Sequence, residues 1–355
     1  MTETMVWLDA VEKSYGAVRA LVPTSLEIAK GEFLTLLGPS GSGKTTILNL
    51  ISGSVAATSG RIWIGGRDVT HLPPNRRELG MVFQNYALMP HMNVFENIAF
   101  PLRVRKHPEA EIRKKVNEVL EVIRLEGYGN RKPKELSGGQ QQRIAIARCL
   151  VYNPDLILMD EPLGALDKKL RDQLQLEIRR IHRTLGVTLL YVTHDQSEAL
   201  VLSDRICLMN SGKVEQIGTP DELYFRPRTV FAADFLGESN ILDVSVAPNG
   251  GQAKLTTRSG FQIEGVRTSM SSAAAKVMIR PESLMVAEDE KKGPNTLDGL
   301  VEDITLTGGV VDIQVRLGNA EMVSVRRLTT RDFRMTERGR PITLRVNPGD
   351  VIVLE

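Results

Sequence analysis

The stretch "GEFLTLLGPSGSGKTT", residues 31–46, decides the fold of the first part of the chain. Its opening "GEFLTLLG" is an apolar run that predicts a buried strand, and the following "TTILNLISGSV" predicts a helix. Between them, "GPSGSGKT" at residues 38–45 satisfies the G-x-x-x-x-G-K-[ST] spacing of a phosphate-binding loop. A strand, a glycine-rich loop and a helix in this order indicate an α/β fold that binds a phosphate.

Each residue type in this loop has a chemical reason. The glycines let backbone N–H groups curl around a β-phosphate, Lys44 reaches the β- and γ-oxygens, and Thr45 presents a hydroxyl to Mg²⁺. We expect the nucleotide to contact Gly38, Pro39, Ser40, Gly41, Ser42, Gly43, Lys44, Thr45 and Thr46.

Composition narrows the class of protein. The 45 basic and 43 acidic residues give a net charge of +2, which offers no electrostatic case for a nucleic-acid partner. The two cysteines, Cys149 and Cys207, lie far from each other and from any His pair, so we expect neither a disulfide scaffold nor a zinc site. No apolar run approaches the roughly 18–20 residues that cross a bilayer.

Two domains are expected in a chain of 355 residues. Residues 4–237 alternate strand-like and helix-like patterns, which indicates α/β. From about Ile241 onward, short alternating runs separated by Gly, Pro and Asn indicate a second, all-β domain over residues 240–355, with the pattern of a small barrel.

A carboxylate pair follows the apolar run in "PDLILMDEP", residues 154–162. Desolvating carboxylates is costly, so a pair at the end of a buried strand points to function. Beside a phosphate loop, Asp160 would support Mg²⁺ and Glu161 would polarise an attacking water. A helix cap or a salt bridge is the alternative role for the pair.

Three further polar or aromatic residues are weaker candidates. His194 in "YVTHDQ" follows another β-rich run, at the strand end where α/β proteins bind ligands. Gln84 in "MVFQNY" also ends a strand pattern, and Tyr15 in "KSYGAVRAL" has the ring to stack on a purine. Ordinary packing or surface positions are the alternatives for each.

A second phosphate-seeking turn lies downstream, in "LSGGQQQRIAIARCL" at residues 136–150. Its Ser137-Gly138-Gly139 opens an apolar-periodic segment, which is typical of a helix N-terminus that receives an anion. One chain thus carries two turns of this kind.

The motifs "GPSGSGKT", "FQ", "LSGGQQQR", "LILMDEP", "GALD" and "YVTHD" occur in this order. The order strongly resembles the nucleotide-binding subunit of ATP-binding-cassette (ABC) transporters over about residues 4–237. The resemblance implies a P-loop NTPase with a RecA-like core, an antiparallel β subdomain and a helical signature subdomain. "VMIRPESL", residues 277–284, resembles part of the OB-like, transport-associated (TOBE) barrel that follows such cassettes.

The resemblance also implies roles for single residues. Tyr15 would stack on the adenine of ATP, Glu161 would be the catalytic base and His194 the switch histidine. Gln84 would be the Q-loop glutamine, and with Thr45 and Asp160 it would complete the Mg²⁺ site. Gly164 departs from the family, because many members carry Ser there.

The second phosphate-seeking turn finds its explanation in the same resemblance. A head-to-tail pair of cassettes would place the signature of one copy over the nucleotide of the other. The residues that would contact the partner's ATP are Ser137, Gly138, Gly139, Gln140 and Asp167.

The implied partners are a second copy of the chain, integral-membrane permease subunits and, indirectly, a periplasmic or lipid-anchored solute-binding protein. The protein would be peripheral, at the cytoplasmic face of the inner membrane. "FAADFLGESN" and the long segment from "DEPLGALD" to "HDQSEAL" look most like polyamine importers. Ferric-ion, sugar or sulfate import remains an alternative, and a soluble ABC ATPase without a transport role is a further one.

Overall fold

The computed structural model describes residues 3–164, 167–249, 252–267, 274–287, 293–318, 321–329 and 337–354. The chain forms two compact units, the first ending at Pro220 and the second beginning at Asp221.

A six-stranded, mostly parallel sheet forms the centre of the first unit. Its order is β10-β9-β3-β8-β7-β6, and only the edge strand β10 runs antiparallel to its neighbour. The strands are β3 (Phe33–Leu37), β6 (Gly80–Val82), β7 (Leu156–Asp160), β8 (Thr188–Thr193), β9 (Arg205–Asn210) and β10 (Lys213–Gly218). The expected α/β fold is confirmed.

Both faces of this sheet are buried, which explains the unbroken apolar runs of its strands. In β7, Ile157 and Met159 pack into one hydrophobic core, while Leu156 and Leu158 pack into another on the opposite face. Because successive side chains of a strand point to opposite faces, a strand between two cores has no position left for a charged side chain except its ends.

An antiparallel sheet of order β2-β1-β4-β5 adjoins this core. Its strands are β1 (Thr4–Tyr15), β2 (Val18–Ala29), β4 (Ser59–Ile64) and β5 (Arg67–Asp68). Strands β9 and β10 form a hairpin that turns at Ser211 and Gly212 with φ of +48° and +76°. Two positive φ values in a row are what a two-residue hairpin turn requires.

In the part of the first unit that the structure describes, the α-helices are α1 (Lys44–Ser52), α2 (Val94–Val104), α3 (Glu109–Val122), α4 (Gly138–Leu150), α5 (Lys168–Leu185) and α6 (Gln196–Leu202). The apolar residues Ile112, Val116 and Leu120 recur at helical spacing along one face of α3, and all three are buried. A capping box between Asn93 and Glu96 begins α2.

The helix after the phosphate loop is fixed at its far end by one buried arginine. The guanidinium of Arg77 donates to the carbonyls of Leu50 and Ile51 in the last turn of α1, at 2.7 and 2.9 Å. It also donates to the carbonyls of Leu72 and Thr70, at 2.9 and 3.3 Å. A cation at a helix C-terminus is favourable, and here it adds to the cap bond from the N–H of Gly53 to the carbonyl of Leu50.

The second unit consists of two short helices and two five-stranded antiparallel sheets, of order β13-β12-β11-β14-β20 and β15-β19-β16-β17-β18. The elements are α7 (Pro220–Phe225), α8 (Val230–Phe235), β11 (Asn240–Asn249), β12 (Gln252–Thr257), β13 (Gln262–Arg267), β14 (Ala274–Ile279), β15 (Leu284–Val286), β16 (Thr296–Thr307), β17 (Val310–Leu317), β18 (Glu321–Leu328), β19 (Pro341–Val346) and β20 (Val351–Leu354). Side chains from both sheets share one hydrophobic core, and the all-β expectation for this part of the chain is confirmed.

The boundary between the compact units lies upstream of the predicted domain boundary at residues 237–240. The contacts of Arg280, which is 2% exposed, show why α7 and α8 belong to the second unit. Its guanidinium donates to the carbonyls of Tyr224, Ala233 and Gly237, at 2.7, 3.1 and 3.0 Å. The helical segment is thereby attached to the β-rich unit. The division at 237–240 stays a prediction about the limits of independently folding domains.

Arg77→Met should destabilise the first unit, because four carbonyl acceptors lose a buried charged donor. The expected loss is about 2–4 kcal/mol in the free energy of unfolding. Denaturant unfolding measures it, and Arg76→Met, at an exposed neighbouring position, serves as the matched control. Equal stability of the two variants would contradict the assigned role of Arg77.

Candidate functional site

The phosphate loop connects β3 to α1, and its glycines are required by close contacts. A Cβ on Gly38 would lie 2.2 Å from the carbonyl oxygen of Met209, and Gly38 has a φ of +155°. Gly43, the N-cap of α1, has a φ of +98°. No side chain caps α1 at this end, so its first N–H groups point into the loop without a side-chain partner.

Two side chains of the loop are held in a way that suits an anion. The ammonium of Lys44 donates to the carbonyls of Gly38 and Pro39, at 2.7 and 2.9 Å. Burial lowers the pKa of Lys44, and the charges of Glu161 and Asp160 act against that shift. The hydroxyl of Ser42 is buried and has no hydrogen-bond partner among the described residues.

Asp160 lies at the end of β7, with the hydroxyl of Thr45 near its carboxyl. Burial, and then the adjacent charge of Glu161, raise the pKa of Asp160, while Lys44 and Thr45 act in the opposite direction. The structure therefore brings Thr45 and Asp160, two predicted magnesium-ligand residues on different elements, near each other.

Glu161 and His194 come together although they are far apart in the sequence. Nδ1 of His194 lies 3.2 Å from Oε1 of Glu161, and the N–H of Glu161 donates to the carbonyl of Val192 in β8 at 3.0 Å. Glu161 has a φ of +42°, which is uncommon for a residue other than glycine. This backbone conformation at a strand end is typical of functional sites.

Gln84 follows β6 and is exposed. A Cβ on Gly164 would lie 3.9 Å from Nε2 of Gln84, so this amide reaches the segment that follows Glu161. Because β6, β7, β8 and β3 are parallel neighbours, their carboxyl ends meet at one edge of the sheet. The predicted residues Gln84, Asp160, Glu161 and His194 all follow strands that end at this edge, beside the phosphate loop.

Tyr15 ends β1 and is 49% exposed, so its ring is accessible to a ligand. The hairpin that carries it approaches the phosphate loop through Ala20, whose carbonyl oxygen lies 3.0 Å from the place of a Cβ on Gly43. Nζ of Lys13 lies 4.8 Å from the centre of the Tyr15 ring. Lys13 was not predicted from the sequence as a site residue, although the two-residue spacing in "KSY" places the side chains of Lys13 and Tyr15 on one face of a strand.

The signature segment begins α4 with a reciprocal cap. The hydroxyl of Ser137 accepts from the N–H of Gln140 at 3.3 Å, and Oε1 of Gln140 accepts from the N–H of Ser137 at 2.9 Å. A Cβ on Gly139 would lie 3.0 Å from a methyl carbon of Leu170 in α5, so α4 and α5 pack closely there. The first turn of α4 therefore presents backbone donors beside a small residue.

Asp167 is the N-cap of α5, and its carboxylate accepts from the N–H of Leu170 at 3.0 Å. Residues 165 and 166 of the quoted motif "GALD" lie outside the described residues. The contacts of Asp167 within the chain are those of a helix cap. Its role toward a partner's ATP stays a prediction.

The residues that fix the backbone on either side of His194 were not predicted from the sequence. The carboxylate of Asp195 caps α6 by accepting from the N–H of Ser197 at 2.8 Å, and it pairs with Arg171 of α5 at 2.9 Å. The hydroxyl of Thr193 donates to the buried carboxylate of Glu198 at 2.7 Å. An Asp before a helix is a recognisable cap, but the pairing with Arg171 across 24 residues leaves no local signal.

The residues present fit ATP and Mg²⁺. The glycine-lined loop, the unpartnered hydroxyl of Ser42 and the ammonium of Lys44 suit a polyphosphate. Thr45, Asp160 and Gln84 offer oxygen atoms, which Mg²⁺ prefers over nitrogen or sulfur. Within the described ranges, no group of three or more His, Cys, Asp or Glu side chains could hold a metal alone, so phosphate oxygens would have to complete such a site.

Comparisons with known proteins agree with this geometry. The ABC transporter family matches residues 21–164, and the TOBE domain family matches residues 277–354. The spermidine/putrescine import ATP-binding protein PotA of Nitratidesulfovibrio vulgaris is 43% identical over 99% of this chain and 95% of its own length. The chain belongs to the ABC transporter family.

Two further relatives agree with the ABC assignment. The protein of the same name from Clostridium novyi is 40% identical over 100% of this chain and 99% of its own length. A solved ATP-binding cassette, a dimer in a post-hydrolysis state bound to ADP and Pi, is 36% identical with a TM-score of 0.54. The match covers 61% of this chain and 99% of the solved chain.

The ABC and TOBE predictions are thus confirmed at the level of family, fold and ATP binding. In the described part of the chain, no helix is both long enough and apolar enough to cross a bilayer.

Because the pKa of Asp160 is raised, removing its charge should increase the stability of the fold, and this gain in stability should depend on pH. A carboxyl whose folded-state pKa exceeds its unfolded value destabilises the fold as the pH rises through the interval between the two values. Asp160→Asn should therefore raise the melting temperature of the nucleotide-free protein at pH 7 above that of the wild type.

This gain should fade as the pH falls toward about 4, the usual pKa of an Asp. Differential scanning fluorimetry from pH 4.5 to pH 7.5 measures the trend. The Asp172→Asn variant, at an exposed position of α5, is the control. A variant at residue 160 that melts lower than the wild type at pH 7 would contradict the prediction.

Proposed function

We propose that this chain is the ATP-hydrolysing subunit of an ABC importer for polyamines of the spermidine and putrescine type, working as a head-to-tail homodimer. The observation that carries the ATPase part is the convergence of Lys44, Asp160, Glu161 and His194 at one sheet edge, with His194 and Glu161 3.2 Å apart. The names of the relatives support the cargo.

Each residue of the site has a part in hydrolysis. Lys44 and the loop N–H groups bind the phosphates, where charge develops as the γ-phosphate leaves. Glu161 polarises the attacking water, and the imidazole of His194 holds the Glu161 carboxylate in place through its 3.2 Å contact. Mg²⁺, held by Thr45, Asp160 and Gln84, would neutralise charge on the β- and γ-oxygens.

The dimer follows from the two separate phosphate-seeking turns. The first turn of α4 has N–H groups that the Ser137–Gln140 cap does not use. In a head-to-tail pair, these groups and Ser137 would bind the ATP held by the partner's loop, giving two equivalent composite sites. The dimeric relative bound to ADP and Pi supports this arrangement.

A pure heterodimer tests the shared sites. One copy carries Glu161→Gln, which disables the composite site formed on that copy's phosphate loop. The other copy carries Ser137→Arg, which disables the same composite site because its signature turn covers that phosphate loop. The remaining site contains wild-type residues only. Differently tagged copies, purified together, should show about half of the wild-type steady-state ATPase rate if the two sites act independently.

Each variant as a homodimer should lose at least about 100-fold in ATPase rate. Glu126→Gln, at an exposed position, is the matched control for the charge change. A heterodimer no more active than either variant homodimer would rule out the sharing of sites between copies.

The surface next to Gln84 suits a membrane subunit. Phe83, the residue before Gln84, is 43% exposed, and on α2 Phe100 and Val104 are 41% and 63% exposed, so these apolar side chains are not fully covered within the described chain. We propose that a permease helix covers this surface. Peripheral attachment at the cytoplasmic face of the inner membrane then follows from the permease contact.

Cargo identity has no direct signature in the site, because an ATPase subunit does not touch the solute. The names of the relatives favour spermidine and putrescine over the ferric-ion, sugar or sulfate alternatives. They equally disfavour a soluble ABC ATPase without a transport role.

Reconstitution with candidate permease subunits and a candidate solute-binding protein from the same organism tests the cargo. ATPase activity in liposomes should rise at least about 5-fold with spermidine or putrescine, which is the lower range of usual coupling between sites. Ferric citrate, maltose and sulfate should leave the rate at its basal value. Stimulation by one of these and not by a polyamine would overturn the cargo and leave the ATPase role standing.

A further inference from the structure

The C-terminal half of α4, far from its signature end, is fastened to the strand and loop that carry Gln84. Sγ of Cys149 donates to the carbonyl of Met81 at 3.2 Å, and the hydroxyl of Tyr152 donates to the carbonyl of Leu79 at 3.1 Å. Both acceptors lie in or next to β6. The contacts bind the signature helix to the last strand before Gln84.

Arg148 extends this attachment past the strand into the loop. Its Nη1 donates to the carbonyl of Ala87 at 2.6 Å, and its Nη2 donates to the carbonyl of Tyr86 at 2.9 Å. One planar guanidinium thus holds two consecutive carbonyls, two residues after Gln84. Lysine could not reproduce this, because its ammonium is a single point donor.

The backbone at these carbonyls is strained. Tyr86 and Ala87 have φ of +60° and +46°, in the left-handed region that residues with a Cβ rarely enter. Such strain costs of the order of 1–3 kcal/mol per residue and persists only where surrounding contacts fix the conformation. The fork of Arg148 is the contact that fixes both carbonyls.

The other end of the loop is held by α2. Asn97 is fully buried, and its Oδ1 accepts from the N–H of Met89 at 2.8 Å while its Nδ2 donates to the carbonyls of Met89 and Met92, at 3.1 and 3.3 Å. The loop over residues 85–92 is therefore fixed at both ends. A fixed loop passes a displacement on instead of absorbing it.

We infer that Arg148 is a positioning residue that links the loop over residues 85–92 to the signature turn at the other end of α4. The helix between them has 13 residues and so acts as a rigid rod of about 20 Å. Occupancy of the signature turn moves this loop, and a displacement of the loop moves the signature turn. The inference rests on the proposed head-to-tail dimer and its permease, and it adds the residue that connects them.

Hydrogen exchange of the isolated protein tests the link without any permease. In the wild type, ATP should slow amide exchange both in the first turn of α4 and across residues 85–92. In Arg148→Met, ATP should still slow exchange in the first turn of α4, but not across residues 85–92. Tyr152→Phe, which removes one hydrogen bond of the same attachment but none to the loop, should behave as the wild type does.

The assembled transporter gives a second readout. Arg148→Met should keep its basal ATPase rate within about 2-fold, since Arg148 touches no reacting group. Its stimulation by permease and cargo should fall at least about 5-fold. Arg148→Lys keeps the charge and reaches one carbonyl, so its hydrogen exchange and its stimulation should lie between those of the wild type and Arg148→Met. If Arg148→Met does not fold, Arg148→Lys is used for the test in its place.

The outcomes separate the two ideas. If ATP changes exchange at neither region of the wild type, the head-to-tail dimer fails, and this inference with it. If the wild type shows both effects and the variants at residue 148 show both as well, Arg148 has no part in the link. If basal and stimulated rates fall by the same factor, Arg148 serves stability alone and the inference is overturned.

Discussion

Burial of both faces of the central sheet is the constraint on which the site depends. Strands packed between two hydrophobic cores accept charged side chains only at their ends, because desolvation inside would cost several kcal/mol per ion. Parallel neighbours end at the same edge, so Asp160, Glu161 and His194 meet there. The same burial raises the pKa of Asp160 and lowers that of Lys44, which makes a bound polyphosphate and cation favourable replacements for lost water.

The sequence was sufficient wherever function needs a particular residue type at a fixed spacing. Gly38 is one example, since a Cβ at this position would lie 2.2 Å from the carbonyl oxygen of Met209. Ser211-Gly212 is another, at a turn with two positive φ values. The apolar face of α3 was predictable from period alone. In each case the physical requirement leaves a local pattern that can be read from one sequence.

The arginine contacts were not predictable, and they share one reason. Arg77, Arg148 and Arg280 all donate to backbone carbonyls that are distant in the sequence. Every residue has the same carbonyl group, so the acceptor leaves no trace in the sequence, and the donor looks like any surface arginine. This also explains the upstream position of the unit boundary, because the α7–α8 segment is attached by Arg280 rather than by a pattern of its own.

The signature turn is stable without a ligand, although some of its N–H groups have no partner in the helix. Its reciprocal cap satisfies the N–H of Gln140 and fixes Ser137, so the helix begins without any ligand. The cap satisfies two of the four N–H groups that a helix start leaves without partners, those of Ser137 and Gln140, and it leaves those of Gly138 and Gly139. Gly139 is closed off by Leu170, whereas Gly138 is only partly covered, so an incoming phosphate finds donors that are already oriented. Little reorganisation is then needed when a partner's nucleotide arrives, and the free energy of its binding is available to move the far end of α4.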